Sequence, residues 1–164
     1  MRPALRKLAL TAHVTASVGW LGAVAAYLVP AIVGLTSENA ETVRSCYLVM
    51  GLMGWFIIVP LALAALATGL IQSLGTEWGL FRNYWIIAKL ALCLVGVAVL
   101  LGHMRTVSGV AGMTTEALAT ASPGHLKTQL VVHAAGGLVV VLIATALSIY
   151  KPWGKTAYGR RKAI

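Results

Sequence analysis

The chain has 164 residues, 59% of them apolar and only 10% charged, with a mean hydropathy of +0.86. A soluble domain solvates its surface with about a quarter charged residues, so this composition excludes an ordinary globular protein and points to the lipid bilayer as solvent. The net charge of +9 comes from 13 Lys and Arg against 4 Asp and Glu. The basic residues gather toward the chain ends and form no stripe interleaved with aromatics, which argues against a nucleic-acid partner.

Apolar runs of the length a bilayer requires, about 20 residues, occur four times. They are Leu8 to Leu35, Tyr47 to Leu74, Tyr84 to Val107 and Leu130 to Tyr150. Each is expected to be a helix, because lipid cannot hydrogen-bond an open backbone. The connectors carry breakers and polar residues: Thr36-Ser37-Glu38-Asn39, Gly75-Thr76-Glu77, and Met113 to Lys127 with its Ser122-Pro123-Gly124 turn. The expected fold is therefore all-α, one domain over residues 1–164, an antiparallel bundle of four transmembrane helices. The first run opens like a signal peptide and contains Ala23-Val24-Ala25, but its apolar stretch continues to Leu35 and should remain as a span.

Lys and Arg sort by side. Arg2, Arg6, Lys7, Arg82, Lys89, Lys151, Lys155, Arg160, Arg161 and Lys162 fall on one, and Arg44, Arg105 and Lys127 on the other. The bias predicts cytoplasmic N and C termini, in a multi-pass protein of the bacterial inner membrane. Trp78, Trp85, Tyr150 and Trp153 fall near the same inner interface, where amphipathic rings prefer to sit.

Ionisable residues inside hydrocarbon cost at least ~2.5 to 3.5 kcal/mol each and need a reason to be there. Depth divides them into two layers. His13 lies five residues past Leu8, and Lys89 five past Tyr84, so both sit roughly 7.5 Å in from the inner face. His103 and His133 lie near the outer ends of the third and fourth runs; His103 is about 21 Å above Lys89. No single metal atom spans the two layers.

Helical periodicity gives each run one interior stripe. These are His13, Ser17, Trp20, Val24 and Tyr27 on the first; Cys46, Met50, Gly54, Ile57, Leu61, Ala64, Thr68 and Gln72 on the second; Lys89, Cys93, Gly96, Leu100 and His103 on the third; and His133, Gly137, Val140, Ala144 and Ser148 on the fourth. His103 and His133, at equal depth on antiparallel neighbours, are the expected axial ligands of a metal or haem. Gly96, Gly102, Gly136 and Gly137 suggest room beside them for a flat macrocycle, although small residues also serve close helix packing. His13, Lys89, Trp20 and Arg82 are expected to form a cationic inner pocket for a propionate, a second haem or an anionic substrate. His125, in the polar loop, is expected to be solvated.

His13 followed by Trp20-Leu21-Gly22 resembles the opening helix of small bacterial membrane proteins related to HemJ-type protoporphyrinogen oxidases and CopD-type copper-resistance proteins. Trp78-Gly79-Leu80-Phe81-Arg82, Tyr84-Trp85, Lys89-Leu90 and Leu101-Gly102-His103-Met104 resemble the third helix of an actinobacterial-type integral-membrane family in that neighbourhood, and Pro60 with Thr68-Gly69 fits it too. The HemJ-type resemblance implies haem b binding, with His13 and Lys89 important for oxidoreductase activity; the CopD-type resemblance implies copper handling. His133 lies outside these motifs, so the outer pair rests on depth and helix phase.

Three functions follow as expectations. The first is a membrane protein that binds b-type haem non-covalently and performs electron transfer or oxidoreductase chemistry, with a quinone or membrane redox protein as partner. The chain contains no Cys-x-x-Cys-His for covalent attachment. The second is copper or small-solute transport through an outer site of Cys46, Met50, His103 and His133, whose thiolate, thioether and imidazole groups suit Cu(I). The third is a structural subunit without cofactor.

Overall fold

The computed structural model describes residues 2–75, 79–114, 116 and 124–161. Among the described residues four stretches of helix are long and apolar enough to cross a membrane. α1 (Pro3–Thr36) is the first, and α2 (Ala40–Met53) and α3 (Val59–Gly75) together form the second. α4 (Tyr84–Ala111) and α5 (Gly124–Tyr150) are the third and fourth. Among the described residues the only strand-like feature is an isolated bridge between Asn83 and Lys155. The all-α four-helix bundle expected from the apolar runs is thus observed.

The helices outrun the apolar segments that announce them. The 34 residues of α1 reach about 51 Å at 1.5 Å per residue, well beyond a hydrocarbon core of about 30 Å. Its charged first turns, with Arg6 and Lys7, therefore project past the core. α2 likewise begins before the apolar run: Asn39 Oδ1 accepts from the Glu41 and Thr42 backbone N–H groups at 2.9 and 3.1 Å, satisfying two of the donors a helix start leaves unpaired. Residues 124–127, expected in a loop, belong to α5. Trp78, Thr76, Glu77, Lys162 and the Ser122-Pro123 part of the predicted turn lie outside the described residues.

The second span contains a π-helical turn over Gly54–Ile58, in which the Val59 N–H bonds back to the Gly54 carbonyl. Pro60 supplies a cause. It has no N–H for the Phe56 carbonyl, and its ring crowds the preceding turn, a strain that one wide turn relieves. The extra residue rotates everything that follows. Before the turn Met50 and Gly54 of the predicted stripe are buried and Cys46 is half-buried; from Ile58 on, the buried positions include Ile58, Ala62, Ala65 and Ser73, each one residue later than Ile57, Leu61, Ala64 and Gln72, together with Val59. A Cβ at Gly54 would collide with the end of the Met104 side chain, so any larger residue where α4 crosses this turn must displace that thioether.

The core follows the interior stripe of α1, whereas on α4 and α5 only His103 and Ala144 of the predicted stripes are buried and the other buried positions, such as Val97, Ala134 and Val141, fall one residue later. Trp20, Val24, Tyr27 and Ala31 of α1 pack with Val97, Met104 and Val107 of α4 and with Leu130, Ala134 and Val141 of α5. Val14, Val18, Phe56, Val95, Val132 and Ile149 are exposed, as lipid-facing side chains are. After α5 the chain turns sharply, with Lys151 and Trp153 at φ 45° and 62°. It returns to the segment before α4, where the Thr156 N–H donates to the Arg82 carbonyl at 2.9 Å and Thr156 Oγ1 to the Phe81 carbonyl at 2.7 Å. A short helix, α6 (Ala157–Arg161), follows. The start of α1, the end of α5 and the 79–83 segment thus share one end of the bundle, the terminal end; the other is the distal end.

Candidate functional site

At the terminal end the four spans do not fill the space between them. They leave a cavity of about 540 Å³, inside the range of roughly 300–1,000 Å³ typical of small-molecule sites. α1 contributes Arg6, Leu10, His13, Ser17 and Trp20 to its wall, residues spaced at three and four positions along one helix face. Lys89 and Cys93 of α4, Ser148 of α5 and Gly69 of α3 complete the part that matters chemically. Val14 and Val18 also belong to the wall and are exposed on α1, so the cavity reaches the lipid-facing surface.

His13 is held in one orientation. Its Nδ1 lies 3.1 Å from the Ala65 carbonyl oxygen and 3.1 Å from Thr68 Oγ1. A carbonyl only accepts, so Nδ1 carries the proton and donates, and in the neutral ring Nε2 keeps its lone pair. Thr68 in turn donates to the Ala64 carbonyl at 2.6 Å, which leaves its oxygen free to accept from the imidazole. Gly69 makes room for the ring: a Cβ there would stand 3.1 Å from His13 Cε1. An imidazole anchored through Nδ1–H to a backbone carbonyl, with Nε2 as free base, is the arrangement typical of a metal-ligating histidine.

Lys89 stands in the same wall. Its ammonium donates to Ser148 Oγ at 2.7 Å, and Ser148 passes the chain on to the Ala144 carbonyl at 2.8 Å. Arg6, two turns before His13, adds a second cation. The predicted inner layer therefore exists, with one substitution: Arg82 is not in the cavity wall. Its carbonyl is held by Thr156 and its side chain folds over Gly79. Arg6 takes the place expected for it. The spacing Arg6, Leu10, His13, Ser17, Trp20 carried that signal, but Arg6 reads first as an orientation charge.

At the distal end the predicted pair also meets. The His103 and His133 rings have centroids 5.1 Å apart and planes inclined by 35°. His133 Nδ1 donates to the Gln129 carbonyl at 2.9 Å, one turn back on α5. His103 is only 7% exposed; its Nε2 is 3.3 Å from the Tyr27 hydroxyl, and the two rings meet edge to face. The expected room for a macrocycle is absent. Two axial nitrogens about 2 Å either side of an iron would set the ring centroids more than 6 Å apart, with a porphyrin plane between them. Rings at 5.1 Å leave no such slot.

The glycines predicted to open that slot do other work. Gly96 faces Val140, where a Cβ would lie 3.1 Å from Cγ1, and Gly137 faces Val24 at 3.7 Å; both bring helices together. Gly102 and Gly136 face nothing within 4 Å. Cys46 does not join the imidazoles in a multi-ligand centre: among the described residues no three His, Cys, Asp or Glu gather as metal ligands. Met50 is buried in the core, and both cysteines are free thiols.

No protein-family model matches the chain, and no curated protein or solved structure does so either. The fold and the two sites are thus the observations on which a functional reading stands.

Proposed function

We propose that the terminal-end cavity is the functional centre of an integral-membrane protein that binds an amphipathic, carboxylate-bearing small molecule, and that b-type haem is that ligand. The observation that carries this reading is the shared wall of one ligand-sized cavity: a braced imidazole, a primary ammonium and a guanidinium lie around apolar surface. His13 supplies the Nε2 lone pair suited to iron. Trp20 and Leu10 supply apolar walls for a macrocycle, and Arg6 and Lys89 supply cations for its carboxylates. When bound, the haem would supply one-electron redox chemistry. Among the described residues His13 is the only imidazole in the wall, so a bound haem would be held by one histidine, which favours oxidoreductase chemistry over simple electron passage.

The Lys/Arg bias supports placing the terminal end, and with it the cavity, at the cytoplasmic side of a bacterial inner membrane. The opening along Val14 and Val18 supports exchange of ligand, or of electrons with a quinone, through the bilayer. The competing transport reading loses the Cys46 thiolate from its outer site, because among the described residues no third His, Cys, Asp or Glu stands with the two imidazoles.

An absorption spectrum of protein produced with adequate haem supply tests the proposal. A Soret band that disappears in His13→Ala is expected. No band in the wild type, or a band retained in His13→Ala and lost in His103→Ala, would overturn it.

A further inference from the structure

The start of α4 has two faces. Trp85, Ile86 and Lys89 line the cavity, whereas Tyr84, Ile87 and Ala88, on the other side of the helix, line an open recess of about 600 Å³. The chain after α5 supplies the rest of this recess: Trp153, Gly154, Lys155 and Arg160. That segment is firmly placed. Besides the bonds from Thr156 to the Phe81 and Arg82 carbonyls, Thr156 Oγ1 accepts from the Gly159 N–H at 3.1 Å, and a Cβ at Gly159 would collide with the Arg82 carbonyl. The turn that brings Trp153 and Lys155 against α4 holds Lys151 and Trp153 in the left-handed region, which residues with a Cβ rarely adopt and which concentrates at ligand clamps.

We propose that this recess binds one anionic phospholipid, with Lys155 and Arg160 as counter-charges of its headgroup phosphate and an acyl chain laid along α4. Both cations are exposed, and neither is paired with a carboxylate among the described residues. Glu38 and Glu41 flank the start of α2 and Glu116 lies beyond the end of α4, all toward the distal end. A guanidinium and an ammonium on one rim suit a phosphate, which accepts hydrogen bonds from both. Trp153 and Tyr84 are also exposed on this rim, and such amphipathic rings settle at headgroup level.

The floor of the recess decides between a lipid and a free anion. From Ile87 and Ala88 an apolar lane continues along α4 through Ala91, Leu94, Val95 and Ala98, at spacings of three and four residues, and all four are exposed. A free phosphate would use the cations and leave this lane without purpose. A ligand whose anion is joined to hydrocarbon uses both, and a bilayer presents that chemistry at the depth where α4 begins its span. Gly154 keeps the recess open: a Cβ there would meet nothing within 4 Å.

Native mass spectrometry of the full chain in neutral detergent, titrated with phosphatidylglycerol or phosphatidylcholine and without haem, reads this site independently of the cavity. One phosphatidylglycerol should bind about thirtyfold tighter than phosphatidylcholine, at about fivefold for each of two cations beside the anion. Lys155→Gln and Arg160→Gln should each lower that preference about fivefold, and the double variant should abolish it. Arg2→Gln/Lys7→Gln removes two cations from the same end of the bundle, outside the recess, and should leave the preference unchanged. Gly154→Leu fills the recess without altering charge and should also lose the lipid. Circular dichroism identifies any variant that fails to fold; the exposed Lys155 and Arg160 side chains lie outside the core, so Lys155→Gln and Arg160→Gln then carry the test. Equal affinity for the two lipids, or a preference lost as fully in Arg2→Gln/Lys7→Gln as in Lys155→Gln/Arg160→Gln, would overturn the site. Displacement of phosphatidylglycerol by an equal concentration of glycerol 3-phosphate would assign the recess to a free phosphate and overturn the lipid.

Discussion

The two ends of the bundle hold similar side chains and differ in whether space is left between them. At the terminal end His13 and Lys89 face a cavity of about 540 Å³, and each is held by a hydroxyl or carbonyl of a neighbouring helix. At the distal end His103 and His133 lie side by side, with Tyr27 against His103. The same imidazole therefore faces two kinds of occupant, a ligand of tens of atoms at one end and at most a single ion at the other. Composition does not set this difference. It arises from which helices approach closely: Gly96 lets α4 approach α5 and Gly137 lets α5 approach α1, whereas Lys89, Trp20 and Trp85 line the cavity at the terminal end.

Adding bulk should separate the two regions most sharply. Ser17→Phe places an aromatic ring in the cavity; titration with haemin should show binding abolished, while thermal unfolding stays unchanged or moves upward. If the variant binds haemin as the wild type does, the cavity is not the site. Gly54→Ala adds one methyl against Met104 in the close-packed region and should cost about 1–3 kcal/mol of stability in a thermal or denaturant unfolding experiment. A neutral result there would mean that the π turn can readjust freely.

Lys89→Met tests the charge. It removes an ammonium from the membrane-embedded wall and keeps the length of the stem. Stability should rise, because an insertion cost of ~2.5 to 3.5 kcal/mol is relieved. Ligand affinity should fall about tenfold, or about 1.4 kcal/mol. Reduced stability with unchanged affinity would make Lys89 a structural residue. Ser148→Ala, which removes only the hydroxyl that receives the ammonium, should have the smallest effect, about 0.5–1.5 kcal/mol on ligand binding measured by the same titration.

Much of this arrangement was legible in the sequence, and the failures have identifiable physical causes. Depth was readable because helical rise is fixed: counting from the polar connectors placed His13 with Lys89 and His103 with His133, as observed. Phase was readable on α1, and to within one residue on α4 and α5. The π turn at Gly54–Ile58 shifts the second span by one residue, so Ala65 rather than Ala64 is buried and its carbonyl meets His13. Arg82 was misplaced because nearness in sequence to Lys89 says nothing about the returning tail, whose Thr156 captures that segment. Whether two facing residues enclose a void or touch was not readable at all, because it depends on side chains contributed by all four spans.

The two cysteines allow the most direct test of where the ligand binds. Cys93 lines the cavity and Cys46 does not. In a Cys46→Ser background, haemin should slow modification of Cys93 by a small uncharged thiol reagent, in proportion to occupancy; in a Cys93→Ser background, modification of Cys46 should proceed at the same rate with and without haemin. Equal rates at Cys93 in the two conditions, under spectroscopically verified haemin binding, would place the ligand elsewhere and contradict the account.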